Sequence, residues 1–152
     1  MVDLLMKEAS GIHIRLILLD MDGTLLGRSQ VAVSARNMRA LQRAMDRGAI
    51  VVPCTGRVYD MLPPQILTQQ GLRYFITSHG ARVYDSAADE DLYTDLIPPE
   101  GAAALLALLQ GRGLYNEIAA NRTIYLESDI AKAMDRQPVP EVALAWLRET
   151  RP

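Results

Sequence analysis

Runs of apolar residues with two different periods divide the first part of the chain into strands and helices. Residues 12–19 (IHIRLILL) are apolar or β-branched nearly throughout, as in a central strand of a parallel sheet that is covered on both faces. In residues 34–47, apolar residues instead recur three or four positions apart, which predicts an amphipathic helix. Ser34 is suited to cap the start of this helix and Gly48 to end it.

Two more apolar runs, 49–54 (AIVVPC) and 74–78 (YFITS), predict a second and a third short strand. A helix reaching about residue 69 is expected between them, with Pro63 and Pro64 disturbing its early turns. Strand, helix, strand, helix and strand at this spacing are typical of right-handed crossovers between parallel strands. We therefore predict an α/β fold built on a parallel sheet.

The sequence after residue 78 is typical of α+β structure. The predicted elements are paired strands at 79–85 and 91–97, a helix at 98–110, a hairpin at 114–127 that turns at 120–122, and weaker helices at 130–136 and 141–149. The leucines of the 98–110 helix should pack in the core. We expect two parts, an α/β part in residues 1–85 and an α+β part in residues 86–152.

Charge and composition argue against several classes of function. The net charge of −2 offers no basic surface for nucleic acid. No apolar run approaches the roughly 20 residues of a membrane-spanning helix, and the first residues lack the pattern of a secretory leader. Cys54 is the single cysteine, so no disulfide framework is expected, and a small buried residue beside a strand fits it. These features predict a soluble, cytoplasmic protein without nucleic-acid or membrane partners.

Polar residues with evident chemistry follow all three predicted strands. The segments are Asp20-Met21-Asp22-Gly23-Thr24, Thr55-Gly56-Arg57 and Ser78-His79-Gly80. Ligands of open parallel sheets bind at the carboxyl ends of the strands, so these segments should lie together. Because side chains alternate along a strand, Asp20 and Asp22 should share a face.

The two neighbouring carboxylates suggest a bound divalent cation. Like charges held close together repel unless a cation or a shared proton intervenes. Mg²⁺ is commonly held by one or two carboxylates together with water and a substrate phosphate. Gly23 would let the chain turn sharply, and Thr24 could hydrogen-bond a carboxylate. A turn whose aspartate merely caps the next element is the alternative.

The second strand end offers groups suited to a phosphate. Thr55 has a hydroxyl, and the amides of Gly56 and Arg57 are expected to open a helix whose positive end would attract an anion. This segment follows the aspartate pair at the spacing of one βαβ unit. That spacing favours a ligand site over a capped turn.

The order of DMDGTLL, TGR about thirty residues later, and a strand ending in a small residue and glycine resembles the haloacid dehalogenase-like phosphatases. Within that superfamily the chain is most similar to the Cof-type branch, whose α/β cap is inserted after the third strand. The resemblance covers residues 12–85 well and the start of a cap more faintly. It implies a Rossmann-like core in residues 1–85 and a partial α+β cap in residues 86–152.

The resemblance also implies a mechanism. Asp20 would be the nucleophile that attacks phosphorus and forms an aspartyl-phosphate. Asp22 would protonate the leaving oxygen and then deprotonate the hydrolytic water. Mg²⁺ would bind the Asp20 carboxylate and the Asp22 backbone carbonyl, and Thr55 would hold a phosphoryl oxygen. The substrate would be a small phosphorylated metabolite such as a sugar phosphate.

Two departures from the family pattern bear on activity. His79-Gly80 stands where the Cof-type pattern has Asn-Gly, which predicts a different contact on the substrate side. The family's later lysine and Gly-Asp-x-x-Asn-Asp motif have no counterpart, since the chain contains no Gly-Asp dipeptide and Lys132 falls in the expected cap. We therefore expect a truncated phosphatase, weakly active or inactive as this chain. Its open sheet edge would favour a homo-oligomer.

Two other functions stay open from the sequence. A non-catalytic phosphate- or metal-binding remnant fits the missing motifs, although it would not need Asp22 as an acid or base. A receiver-like phosphoacceptor domain is also a parallel α/β sheet, but it usually places its acidic pair and its acceptor aspartate on separate strands. The lifetime of an aspartyl-phosphate would separate these functions, because a phosphatase hydrolyses it quickly.

Overall fold

The computed structural model describes residues 13–27, 31–110, 112 and 116–126. The strands and helices, in chain order, are β1 (Leu16–Asp20), α1 (Ala35–Asp46), β2 (Ile50–Cys54), α2 (Pro64–Leu67), β3 (Tyr74–Thr77), β4 (Arg82–Asp85), β5 (Glu90–Thr94), α3 (Pro99–Leu109), β6 (Glu117–Ala120) and β7 (Thr123–Leu126). Two 3₁₀ turns, Tyr59–Met61 and Ser78–Gly80, lie between them. The helices predicted at 130–136 and 141–149, and Lys132, lie outside the described residues.

Five strands form one sheet in the order β1-β2-β3-β4-β5, and β6 and β7 form a separate hairpin. The first three strands are parallel, with Asp20 opposite Cys54 and Cys54 opposite Ile76. β4 runs antiparallel to β3, and β5 runs antiparallel to β4. The predicted α/β class, with its parallel strands and a strand pair after residue 78, is confirmed.

Both predicted ends of α1 are confirmed. The Ser34 hydroxyl accepts a hydrogen bond of 3.1 Å from the backbone N–H of Asn37. At the other end, Gly48 has a φ of +87° and donates its N–H to the carbonyl of Met45 at 2.8 Å. This left-handed conformation favours glycine, so the residue after the helix sets where it stops. Leu41, on the inner face of α1, is buried.

The apolar core is built on one face of the sheet. Phe75, Met21 and Leu26 are among its largest fully buried side chains. The ring of Tyr59 packs edge-on against Phe75 and Tyr84, with centroid distances of 5.1 and 4.7 Å. Full burial of a side chain such as Phe75, Met21 or Leu26 contributes about 1.5–3 kcal/mol to the free energy of folding. These packed residues therefore hold the turn after β1 and the first 3₁₀ turn in place beside the strand ends.

β1 is not a central strand covered on both faces, contrary to the prediction. Among the described residues it lies at the edge of the sheet. Ile17 and Leu19 pack against the core, whereas Leu16 and Leu18 are 55% and 58% exposed. An apolar run shows that both faces of a strand are suited to burial, but it does not say which element buries them.

The helical predictions were wrong at two places. No residue of α3 is buried, and its Leu105 and Leu108 are exposed rather than packed in the core. The helix expected to open at Gly56 is instead a 3₁₀ turn followed by the single turn of α2. Pro63 and Pro64 lack the N–H that a continuing helix needs. None of the helices described is long and apolar enough to cross a membrane.

Candidate active site

The ends of the three parallel strands surround a cavity of about 480 Å³. Its lining comes from these strand ends, the first 3₁₀ turn and the β6–β7 hairpin: Asp20, Asp22, Thr55, Gly56, Arg57, Met61, His79, Glu117 and Ile124. Five of the predicted site residues are among them, so the structure brings together the groups that the sequence placed at β1 and β2. Gly23 and Thr24 are not in the lining and lie in the adjoining turn.

Burial of Met21 determines where the two aspartates lie. Met21 is fully buried, and the Asp20 and Asp22 side chains on either side of it reach the cavity. Gly23 turns the chain with a φ of +78°. The Thr24 hydroxyl then donates a hydrogen bond of 2.8 Å to Oδ2 of Asp20, the contact with a carboxylate that the sequence suggested. One core residue and one tight turn thus orient the pair.

Arg57 holds Asp22 in a bidentate ion pair that the sequence analysis missed. Nε of Arg57 donates to Oδ2 of Asp22 at 2.9 Å, and Nη2 donates to Oδ1. Nη1 of the same guanidinium donates to the carbonyl of Met61 at 3.2 Å. The backbone N–H of Arg57 donates to Oγ1 of Thr55 at 3.2 Å. Paired bonds between guanidinium and carboxylate are strong and directional, so Arg57 fixes the direction in which Asp22 presents its oxygens.

His79 forms the wall of the cavity beside Gly56. A Cβ atom placed on Gly56 would overlap the imidazole ring, so glycine is needed for this close approach. Ser78 and His79 have φ values of +52° and +56°. Such left-handed conformations cost non-glycine residues about 1–3 kcal/mol each and concentrate at functional sites. The departure from Asn-Gly therefore places an imidazole against the second strand end.

The β6–β7 hairpin contributes Glu117 and Ile124 to the cavity. Ala120 pairs with Thr123, and the residues between them, 121 and 122, both have positive φ. The turn predicted at 120–122 is confirmed. No pattern in the sequence indicates that Glu117 or Ile124 would reach the strand ends, because that depends on how the hairpin docks.

Carboxylates outnumber cations in the lining of the cavity. Asp20, Asp22 and Glu117 face it together with the single guanidinium of Arg57. Among the described residues there is no group of three His, Cys, Asp or Glu side chains that could hold a metal ion. The Asp20 carboxylate and Asp22 backbone carbonyl are nevertheless hard oxygen donors. They fit Mg²⁺, which needs only one or two protein carboxylates when water and substrate phosphate complete its shell.

Comparisons with known proteins agree on one family. The family model for haloacid dehalogenase-like hydrolases matches residues 17–144. The chain is 36% identical over 79 residues to the 5-amino-6-(5-phospho-D-ribitylamino)uracil phosphatase YcsE of Bacillus subtilis (strain 168), covering 52% of the chain and 31% of the relative. It is 27% identical over 137 residues to YwtE, a phosphatase of the same name from that organism, covering 90% of the chain and 44% of the relative.

Solved structures show the same relationship. A haloacid dehalogenase-like hydrolase from B. subtilis superposes with a TM-score of 0.64 at 28% identity, covering 90% of this chain and 50% of the other. The chain spans less than half the length of the two curated relatives.

Proposed function

The chain belongs to the haloacid dehalogenase-like hydrolase family, and on that basis we propose that its cavity serves the Mg²⁺-dependent hydrolysis of small phosphoric monoesters. The observation that carries the proposal is the convergence of Asp20 and Asp22 with Thr55, Gly56 and Arg57 in one cavity. The relatives YcsE and YwtE, named as phosphatases of a phosphoribityl compound, support a small phosphorylated metabolite as the substrate.

Asp20 is the proposed nucleophile. Its carboxylate lies at the end of β1 and lines the cavity, and its Oδ2 accepts the hydrogen bond from Thr24. Attack of this carboxylate on phosphorus breaks the bond to the leaving oxygen and forms an aspartyl-phosphate. Because β1 is a strand in a paired sheet, the nucleophile is held on a rigid element rather than on a mobile loop.

Asp22 is the proposed acid and base. It would first give a proton to the leaving oxygen and then take one from the water that hydrolyses the aspartyl-phosphate. The two bonds from Arg57 hold the deprotonated form of Asp22 and would orient that carboxylate for the second step, in which it takes a proton from water. Arg57 thus has a proposed role in orienting Asp22 in addition to binding phosphate.

The phosphoryl oxygens would be held by the second strand end and the aspartate turn. Thr55, Gly56 and Arg57 are the proposed contacts from β2, and Gly23 and Thr24 are the proposed contacts from the turn. Mg²⁺ would be held by the carboxylate of Asp20 and the carbonyl of Asp22. When bound, it would offset the repulsion between the phosphate and the carboxylate that attacks it.

We also propose that turnover by this chain is weak. No lysine, and no group of three metal-binding side chains, is present in residues 13–27, 31–110, 112 and 116–126. Loss of one preorganised electrostatic group typically costs about a hundredfold or more in rate. In this proposal residues 1–85 are the N-terminal part of a phosphatase core, and residues 86–152 are part of a Cof-type cap.

A phosphatase assay tests the function. The chain is incubated with Mg²⁺ and a panel of sugar monophosphates, and release of inorganic phosphate is followed for the wild type and Asp20→Asn. Asp46→Asn, an exposed aspartate on α1, is the control for charge. We expect slow, Mg²⁺-dependent release that is lost only in Asp20→Asn. Release that persists unchanged in Asp20→Asn contradicts the proposal.

Binding without turnover is the second candidate, favoured by the ion pair between Asp22 and Arg57. That pair engages the carboxylate that an enzyme would use as acid and base. Titration of a sugar phosphate followed by ³¹P NMR separates the two functions. A saturable shift without product over a long incubation supports a binding module, whereas product formation supports the enzyme.

A further inference from the structure

The turn after β3 holds His79 in a strained backbone conformation. Ser78, His79 and Gly80 have φ values of +52°, +56° and +90°, and only glycine adopts this region freely. Two main-chain bonds join the turn to the end of β2. The N–H of Ser78 donates to the carbonyl of Arg57 at 2.8 Å. The N–H of His79 donates to the carbonyl of Thr55 at 3.3 Å. The position of the His79 side chain is therefore set by the paired strand ends.

The imidazole of His79 lies with one face against Gly56. The ring atoms nearest to the position of a Cβ on Gly56 are Cε1, Nδ1 and Nε2, and the two nitrogens lie 2.7 and 2.8 Å from that position. A point in the ring plane beyond Cε1 would be much farther from the nitrogens than from that carbon, whereas a point above the ring face is close to all three atoms. One face of the ring therefore covers the glycine, and the opposite face is turned away from it.

The opposite face of the ring is available to a ligand. His79 is exposed and lines the cavity. Its imidazole makes no hydrogen bond or ring contact with the other residues that the structure describes. Met61 and Ile124 add apolar groups to the same lining. A flat ring with one free face and apolar neighbours is suited to stack with another ring.

We propose that His79 is a specificity-determining residue whose imidazole stacks with a flat aromatic ring in the leaving group of the substrate. The inference rests on the proposed function, which places the phosphoryl group at Thr55, Gly56 and Arg57. Because the imidazole covers Gly56 itself, a ring that stacks on it must be joined to the phosphate directly or through a short linker. The substrate class is therefore phosphoric monoesters of phenols and of aromatic or heteroaromatic methanols.

A matched pair of ligands separates stacking from the burial of apolar surface. Benzyl phosphate and cyclohexylmethyl phosphate carry rings of similar size, but only the benzyl ring is flat and aromatic. Dissociation constants for both esters and for inorganic phosphate are measured with Mg²⁺ by ³¹P NMR, in which hydrolysis is also visible. We expect the wild type to bind benzyl phosphate about threefold or more tightly than cyclohexylmethyl phosphate. Equal affinities for the two esters overturn the proposal.

Substitutions of His79 attribute the preference to its ring. His79→Asn removes the ring and keeps a residue that tolerates the left-handed region, so the turn should persist and the two esters should bind about equally. His79→Phe keeps a flat ring and should keep the preference. His13→Asn is the matched control, because His13 is the other histidine and is exposed. A preference that survives in His79→Asn overturns the proposal.

Inorganic phosphate shows whether the ring contacts the leaving group or the phosphate. Its affinity should be the same in the wild type and in His79→Asn, because inorganic phosphate has no ring to stack. A loss of inorganic phosphate binding in His79→Asn as large as the loss of benzyl phosphate binding would make the imidazole a phosphate ligand and overturns the proposal.

The proton signals of the two imidazoles give a direct readout of stacking. The Cε1–H signals of His79 and His13 are assigned by substitution, since the chain contains only these two histidines. At equal occupancy, benzyl phosphate should shift the His79 signal through its ring current, cyclohexylmethyl phosphate should shift it much less, and His13 should not respond. Equal shifts of the His79 signal by the two esters overturn the proposal.

These measurements also separate the role of His79 from the proposed function. If inorganic phosphate does not bind to the wild type, the proposed phosphate site is wrong, and the role of His79 is overturned with it. If inorganic phosphate binds and the two esters bind equally well, the phosphate site stands and only the role of His79 is overturned.

Discussion

Arg57 and Asp22 are joined by a bidentate ion pair across the ends of two parallel strands, with Nε of Arg57 at 2.9 Å from Oδ2 of Asp22. The residues are 35 positions apart in the sequence. They meet because β1 and β2 pair in a register that sets Asp20 opposite Cys54. The orientation of the proposed acid–base group is therefore a consequence of strand pairing.

Replacing Arg57 by lysine should reduce turnover more than substrate affinity. Lysine keeps the positive charge but cannot make two parallel bonds to Asp22, so the carboxylate loses its fixed direction. General acid–base catalysis typically accelerates a reaction about 10²–10⁴-fold. We expect Arg57→Lys to lower kcat by about tenfold or more. Steady-state assays with Mg²⁺ and a sugar phosphate measure the effect, with Arg39→Lys on the exposed side of α1 as the control. Equal kcat in the two variants would show that the ion pair does not orient Asp22.

An alanine at position 56 should disturb the phosphate contacts through His79. Its Cβ would overlap the imidazole ring, so the ring must move away from the second strand end. We expect Gly56→Ala to weaken phosphate binding, and the double variant Gly56→Ala/His79→Ala to recover much of the loss because the space becomes free. Titration with inorganic phosphate followed by ³¹P NMR measures both. If the double variant binds phosphate as weakly as Gly56→Ala, the loss of binding comes from a change in the backbone and not from the overlap with His79.

The buried carboxylate of Asp85 should make folding stability depend on acid pH. Hydrogen bonds from Arg73, helped by the backbone N–H groups of Ala87 and Ala88, hold the pKa of Asp85 below its ordinary value of 3.8. Since the unfolded chain binds this proton more tightly, the stabilisation is complete above the ordinary value and is lost as the pH falls through the lower, folded value.

Urea denaturation at several pH values measures that contribution. Asp85→Asn should be less stable than the wild type at neutral pH, and the difference should shrink as the pH falls below about 4. Asp95→Asn, an exposed aspartate, should follow the wild type at every pH. A destabilisation by Asp85→Asn that is constant from neutral to strongly acid pH would contradict the role of the charge.

The outer edge of β1 should promote self-association. Among the described residues no strand pairs with this edge, and Leu18 is 58% exposed there. Unpaired apolar edges add strands from other chains, and lysine on an edge opposes this. We expect the wild type to form dimers or larger species as its concentration rises, and Leu18→Lys to remain monomeric.

Sedimentation velocity over a range of concentrations measures this association. Leu108→Lys is the matched control, because Leu108 is 56% exposed but lies on α3 and not on β1. A wild type that stays monomeric at every concentration, or two lysine variants that behave alike, would contradict association through β1.

Local patterns in the sequence predicted several of the elements and which strand ends lie together. The periods of apolar residues predicted β1 to β3 and α1, and the Ser34 cap and the Gly48 stop were readable from single residues. The rule that ligands bind at the carboxyl ends of parallel strands brought the aspartate turn and the Thr55 segment to one cavity.

Contacts between distant segments could not be predicted in the same way. Nothing in a one-dimensional pattern pairs Arg57 with Asp22 or brings Glu117 to the cavity, because each depends on how whole elements pack. The exposed outer face of β1 was missed for the same reason, since composition does not identify the covering element.

Detection of a phosphoryl group on Asp20 tests the central claim most directly. The chain is mixed with a reactive phosphoric monoester and Mg²⁺, quenched with acid within the first turnover, and digested for mass spectrometry of the peptide that contains Asp20. We expect phosphorylation of that residue which requires Mg²⁺, is absent in Asp20→Asn, and decays after removal of the ester. Hydrolysis of the ester by the wild type without any phosphoryl group on Asp20, or unchanged hydrolysis by Asp20→Asn, would contradict the account.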